Sequence, residues 1–218
     1  KCIASWKKYL PDYEIKEWNE NNFDINAIPY TQQAHRAGKY AFVSDYARLK
    51  ILYEYGGLYF DTDVEVIKPF DRIMECGAFM GLEVKEDGGV AVASGLGMAC
   101  PAKLPVYKKL VDSYEKDNFV DANGKQNLET IVTRVTHLLG ADGFIPKNEI
   151  QKVGDVTIYP VEYFCPKNFA TGKITITENT YSIHWYDASW QPLSSRAFYV
   201  IARHMPAPMR NSLKKILK

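Results

Sequence analysis

Apolar residues at Cys2, Ile3, Trp6 and Tyr9 recur every three or four positions, the spacing of one helical face, so the chain is expected to open with a helix over residues 1–10. Pro11-Asp12 interrupts that pattern, and a strand is expected over 13–18, then a helix after Pro29. The run SDYARLKILYEYGGLYFDTDVE, residues 44–65, predicts a helix capped by Ser44 and stopped at Gly56-Gly57, where a left-handed cap forms readily. An apolar strand, Leu58-Tyr59-Phe60, follows. Residues 78–82 and 90–98 read as strands on either side of the polar turn 85–89, and 104–115 and 128–139 read as helices. Segments 156–160 and 180–184 read as strands. Helices and strands thus alternate without an internal repeat, low-complexity stretch or linker, which predicts one α/β domain over 1–218.

The triplet Asp61-Thr62-Asp63 ends the apolar strand. Strand alternation would send Tyr59, Asp61 and Asp63 to one face and Thr62 to the other. Two carboxylates aimed at one point offer hard oxygen ligands, which suit Mg2+ or Mn2+ and leave positions for the oxygens of a diphosphate. Upstream, Asp45 and Arg48 stand three apart, hence on one helical face. Each feature has an ordinary explanation: a solvated loop for the triplet, a surface ion pair for Asp45 and Arg48, a stop signal for the glycines. Their ordered combination favours a site, because carboxylates at the end of an apolar strand sit where open α/β sheets bind ligands. A calcium loop starting at Asp61 would need Gly at Val66 and Glu at Arg72, and is excluded. A haloacid-dehalogenase type of phosphatase normally has Thr or Val where Glu65 stands, which weakens that reading. No GxxxxGK[ST] loop occurs, and Gly95-Leu96-Gly97 lacks the remainder of a dinucleotide fingerprint. Near the end, YSIHWYDASW contains His184, able to supply an imidazole to a metal; taken alone, it would be a hydrogen-bonded histidine beside a strand.

Composition changes this picture little. The chain has 218 residues, 46% hydrophobic and 24% charged, enough for one domain with a substantial core. A formal charge of +1 gives no indication of nucleic-acid binding. Cys2, Cys76, Cys100 and Cys165 lack CxxC spacing, which argues for reduced thiols in a cytoplasmic protein. No apolar run reaches membrane-spanning length and no signal peptide is visible. Over 208–218, Met209, Leu213, Ile216 and Leu217 alternate with Arg210, Lys214, Lys215 and Lys218. That is the pattern of a basic amphipathic helix, able to lie on the inner face of a membrane or simply at the protein surface.

Segment 44–65 resembles the sugar-binding region of family 32 glycosyltransferases, a group that includes yeast outer-chain mannosyltransferases and bacterial capsule and lipopolysaccharide enzymes. It is more distantly similar to the large clostridial glucosylating toxins, and the likeness covers most of the chain, including the later HWYDASW. The resemblance implies an A-type glycosyltransferase fold, a Rossmann-like, mostly parallel sheet flanked by helices, and retention of anomeric configuration. It implies that Ser44, Asp45 and Arg48 grip the donor sugar, with Arg48 also near the diphosphate. Tyr59 would stand beside the ribose, and Asp61 would touch sugar and ribose hydroxyls. Asp63 would bind the metal, His184 would complete its shell, and Ser189 and Trp190 would close over diphosphate and sugar. Asp45, Arg48 and Asp61 then form the catalytic set. The function so implied is Mn2+- or Mg2+-dependent transfer of a hexose from a nucleotide-sugar donor to a hydroxyl of a glycan or lipid-linked acceptor in polysaccharide biosynthesis. UDP-hexose is the favoured donor, and GDP-mannose the second. The competing readings are a phosphatase with Asp61 as nucleophile and a sugar-binding module without catalysis. One departure stands out: the family's opening apolar strand, of the IPKIIHxxW type, is not found ahead of Lys1, so a domain shortened at its N-terminus, with an incomplete base-binding side, is expected.

Overall fold

The computed structural model describes residues 1–85 and 87–187. In chain order the elements are α1 (Cys2–Tyr9), α2 (Pro29–Arg36), α3 (Tyr40–Tyr55), β1 (Gly57–Tyr59), β2 (Val64–Val66), α4 (Asp71–Met74), β3 (Phe79–Val84) and β4 (Val90–Ala93). There follow β5 (Met98–Cys100), α5 (Pro105–Glu115), α6 (Ile131–Gly140), β6 (Gln151–Val153), β7 (Val156–Tyr159), α7 (Val161–Phe164) and β8 (Ser182–His184). Six strands form one sheet in the order β1-β5-β3-β7-β6, with β4 also paired to β3; β2 and β8 form a separate two-stranded sheet.

Alternation along the strands divides the core in two. Met80, Leu82, Val92, Met98 and Ile158 face α2, α3, α5 and α6, while Phe79, Ala93, Ala99 and Tyr159 face α1, α4 and α7. On the first face, α3 contributes Val43, Tyr46, Leu49 and Leu52 at helical spacing. On the second, Phe164 stacks on Phe79 and Phe70 with ring centroids 5.2 and 5.7 Å apart. Gly81 makes this possible, since a Cβ there would come within 2.6 Å of the Phe164 ring.

The expected helices and most strands are present, with five corrections. The sheet is mixed rather than mostly parallel: β3 and β7 pair in parallel, and the other pairings among the described residues are antiparallel. The short turn between β3 and β4 permits only an antiparallel pair. Residues 13–18 form no strand, because no neighbouring chain supplies a ladder to them among the described residues. The expected strand over 90–98 is two strands, since the chain leaves β3 after Ala93 and returns as β5 beside β1. Ser44 does not cap α3. The helix begins earlier, at Tyr40, and the Ser44 hydroxyl donates to the Ala41 carbonyl at 2.8 Å inside it. Gly38, at φ 67°, ends the preceding turn, and the apolar positions from Phe42 and Val43 already follow the helical period. The helix does stop at Gly56, but at φ 68° and ψ −166°, an extended glycine conformation and not the left-handed helical cap expected.

Candidate metal and donor site

The carboxylates of the Asp61-Thr62-Asp63 triplet converge, but through a turn and not through strand alternation. β1 ends at Tyr59, and the Val64 N–H donates back to the Asp61 carbonyl at 3.0 Å. Behind the turn, the Asp61 N–H donates to the Gly95 carbonyl at 3.1 Å. A Cβ on Gly95 would lie 2.1 Å from Asp61 Oδ2, so only glycine leaves room for the carboxylate.

Arg48 joins α3 to this turn. Its Nη1 lies 2.9 Å from Asp61 Oδ1 and its Nη2 3.3 Å from Asp45 Oδ1, while Nε and Nη2 donate to the Ser44 carbonyl and hydroxyl. The guanidinium also lies over the Tyr59 ring, 5.1 Å from its centroid, and the Tyr59 hydroxyl donates to Asp61 Oδ1 at 2.8 Å. Ser44, Asp45, Arg48, Tyr59 and Asp61 are therefore one connected network. Burial opposes the Arg48 charge, but Asp61, Tyr59 and Asp45 outweigh it and keep the guanidinium protonated. Burial pushes the Asp45 carboxyl up to about 6, against Arg48 and the Ile131 N–H of α6, which favour its charge.

His184 arrives from far along the chain. β8 pairs antiparallel with β2 so that His184 stands opposite Val64, one residue beyond Asp63. The Trp185 N–H donates to the Asp63 carbonyl at 3.0 Å and continues the ladder past the strand end. His184 Nε2 lies 3.1 Å from Asp63 Oδ1, and the Asp187 N–H donates to Asp63 Oδ2 at 2.8 Å. Burial alone would raise the Asp63 carboxyl, yet these contacts outweigh it and hold the group below its ordinary value. Potential ligand atoms of Asp61, Asp63 and His184 all lie within 4.8 Å of one another. Two carboxylate oxygens and one imidazole nitrogen at that separation fit a divalent ion such as Mn2+ or Mg2+.

α1 closes the other side of β2. Trp6 Nε1 donates to the Val64 carbonyl at 2.8 Å, and the Val66 N–H donates to Ser5 Oγ at 2.9 Å. Trp185, facing the same element, donates from Nε1 to Glu65 Oε2 at 2.9 Å.

Three residues beside the centre escape a reading of the sequence. Gly95 appears there only as part of an incomplete dinucleotide pattern. Glu83, near the end of β3, faces Asp61, His184 and Tyr186, and burial raises its carboxyl; an acid between Leu82 and Val84 in an apolar strand was its available signal. Tyr186 follows β8 at φ 56° and packs beneath His184. Ser189, Trp190 and the segment 208–218 lie outside the described residues. Among the described residues no helix is long and apolar enough to cross a membrane.

Comparison with known proteins bears on the first part of this site. No curated protein matches the chain. Residues 1–79, which include Ser44, Asp45, Arg48, Tyr59, Asp61 and Asp63, match the family model described as a glycosyltransferase sugar-binding region containing a DXD motif, and that match supports a glycosyltransferase.

Proposed function

We propose that this protein is a metal-dependent, retaining glycosyltransferase of the family 32 kind, built on an A-type fold. In this reading it transfers a hexose from a nucleotide-diphosphate sugar, UDP-hexose by preference, to a hydroxyl of a glycan or lipid-linked acceptor. One observation carries the reading: within the DXD-matched segment, Asp61 and Asp63 converge with His184 while Asp61 is tied to the Arg48 and Asp45 pair.

Asp63, His184 and Asp61 would hold Mn2+ or Mg2+. The bound ion supplies positive charge against a departing diphosphate. Arg48 and Tyr59 fix Asp61 by gripping Oδ1, which orients its carboxylate toward donor hydroxyls without further reorganisation. The same grip disfavours Asp61 as a phosphatase nucleophile. Asp45, held by Arg48 and the start of α6, is assigned to the donor sugar, and Ser189 and Trp190 to closure over it. A lipid-linked acceptor would suit a basic segment at 208–218.

The test is release of nucleoside diphosphate from a panel of UDP- and GDP-sugars, with Mn2+ or with a chelator, in the presence of glycan and lipid-linked acceptors. The proposal expects metal-dependent release with at least one donor and a product of unchanged anomeric configuration. Hydrolysis of phosphomonoesters without diphosphate release would overturn it in favour of a phosphatase. Donor binding without turnover for any acceptor would overturn it in favour of a binding module.

A further inference from the structure

A histidine that ligates a metal is commonly held in orientation by a hydrogen bond from its other ring nitrogen. His184 lacks one. Its Nε2 faces Asp63, whereas its Nδ1 is buried and has no hydrogen-bond partner among the described residues. Among the described residues, packing is then what holds that side of the ring.

The residue that packs on it is Tyr186. The two ring centroids are 4.2 Å apart at an interplanar angle of 50°. To reach that position Tyr186 adopts φ 56°, in the left-handed region that a bulky side chain rarely occupies. The far side of the ring is also held: Phe169 meets it edge-on at 5.1 Å, and its hydroxyl lies 2.8 Å from Cys165 Sγ and faces Glu83. Cys165 is buried beside Phe164, and Glu83 is on β3, so the ring is anchored to the main sheet and not to the loop that carries it. A glycine at this position would relieve the backbone and remove the whole arrangement.

We propose that Tyr186 is a positioning residue for the metal centre, a rigid ring pinned to the core by Cys165 and Glu83 that orients the His184 imidazole in place of the missing hydrogen bond. The inference rests on the reading of His184 as a metal ligand.

The experiment measures binding of Mn2+ alone to the full chain by titration calorimetry. Nitrogen modulation in the electron spin echo of bound Mn2+ and the melting temperature are read beside it. Tyr186→Leu, which removes the ring, should weaken Mn2+ binding by about tenfold or more and reduce the nitrogen modulation. Tyr186→Phe, which keeps the ring, should recover affinity to within about threefold of the parent. Should Tyr186→Leu not fold, Cys165→Val loosens the hydroxyl anchor and should itself weaken Mn2+ binding about threefold, with Cys165→Ser restoring it. Parent affinity and modulation in both Tyr186→Leu and Cys165→Val, whatever their melting temperatures, would overturn the proposal. His184→Ala separates the two levels. Parent affinity and nitrogen modulation in that variant would remove His184 as a ligand, and both readings with it. Loss in His184→Ala together with parent behaviour in Tyr186→Leu would overturn the positioning role alone.

Discussion

Asp45 is buried, and its carboxyl lies at about 6 in the fold against an ordinary value of 3.8. The unfolded chain thus ionises this group at a lower pH than the folded protein does. Its contribution to stability is full below pH 4 and falls as pH rises toward 6, by up to about 3 kcal/mol in total. Asp45→Asn should flatten that part of the profile. The difference in melting temperature between variant and parent is expected to shift in favour of the variant from pH 4 to pH 6.5, and parallel profiles would contradict the account. Gly95→Ala probes the contact between the loop before β5 and the Asp61 carboxylate. The added Cβ would displace an Asp61 carboxylate already gripped by Arg48 and Tyr59. Mn2+ affinity should fall about tenfold while stability drops by only about 1–2 kcal/mol, within the usual cost of overpacking; calorimetry and urea unfolding read the two separately. The carboxylates were legible in the sequence as a motif. Gly95 and Glu83 were not, because what matters about them is which distant residue they face. Ser44 was assigned to a helix start on residue type alone, and the earlier apolar period overrode it.

Among elements, the joint between α3 and β1 sets the position of the site, since it fixes Arg48 relative to Asp61. Gly56 turns that joint at φ 68°, and a Cβ on it would meet the Ala102 backbone nitrogen at 2.6 Å. Backbone cannot yield as a side-chain tip can. Gly56→Ala should therefore cost about 2 kcal/mol or more in urea unfolding; a loss below about 0.5 kcal/mol would show the joint to be more tolerant than described. Periodicity identified α5 and α6 well, because each buries one face in the first core, whereas α3 was recognised by its glycine stop and begins four residues before Ser44. It could not identify β2, whose role comes from a long-range partner, β8. Nor could it separate β4 from β5: residues 90–98 read as one apolar run, and what divides them is that β4 pairs with Gly81–Val84 of β3 while β5 pairs with Phe79 of β3 and with β1. Convergence of Asp61 and Asp63 was expected for strand geometry and arises from a turn, so the outcome agreed while the local reason differed.

For the molecule as a whole, the sheet separates two cores, and the site lies where α3, the β1–β2 turn, the loop before β5 and β8 meet. A ligand that joins these pieces should stabilise them together. Hydrogen exchange in the presence of Mn2+ and UDP is expected to slow over 61–66 and 182–187 in concert; protection confined to one of the two segments would contradict a shared centre. The most direct test of that centre is the affinity for UDP, measured by calorimetry with Mn2+ and with chelator, for the parent protein and for Asp63→Ala. A centre made of Asp61, Asp63 and His184 predicts that Mn2+ raises UDP affinity at least about tenfold in the parent, and that Asp63→Ala loses this gain while remaining folded, with a melting temperature lowered by the lost contacts to His184 and Asp187. Equal UDP affinity with Mn2+ and with chelator, or an undiminished Mn2+ effect in Asp63→Ala, would contradict it.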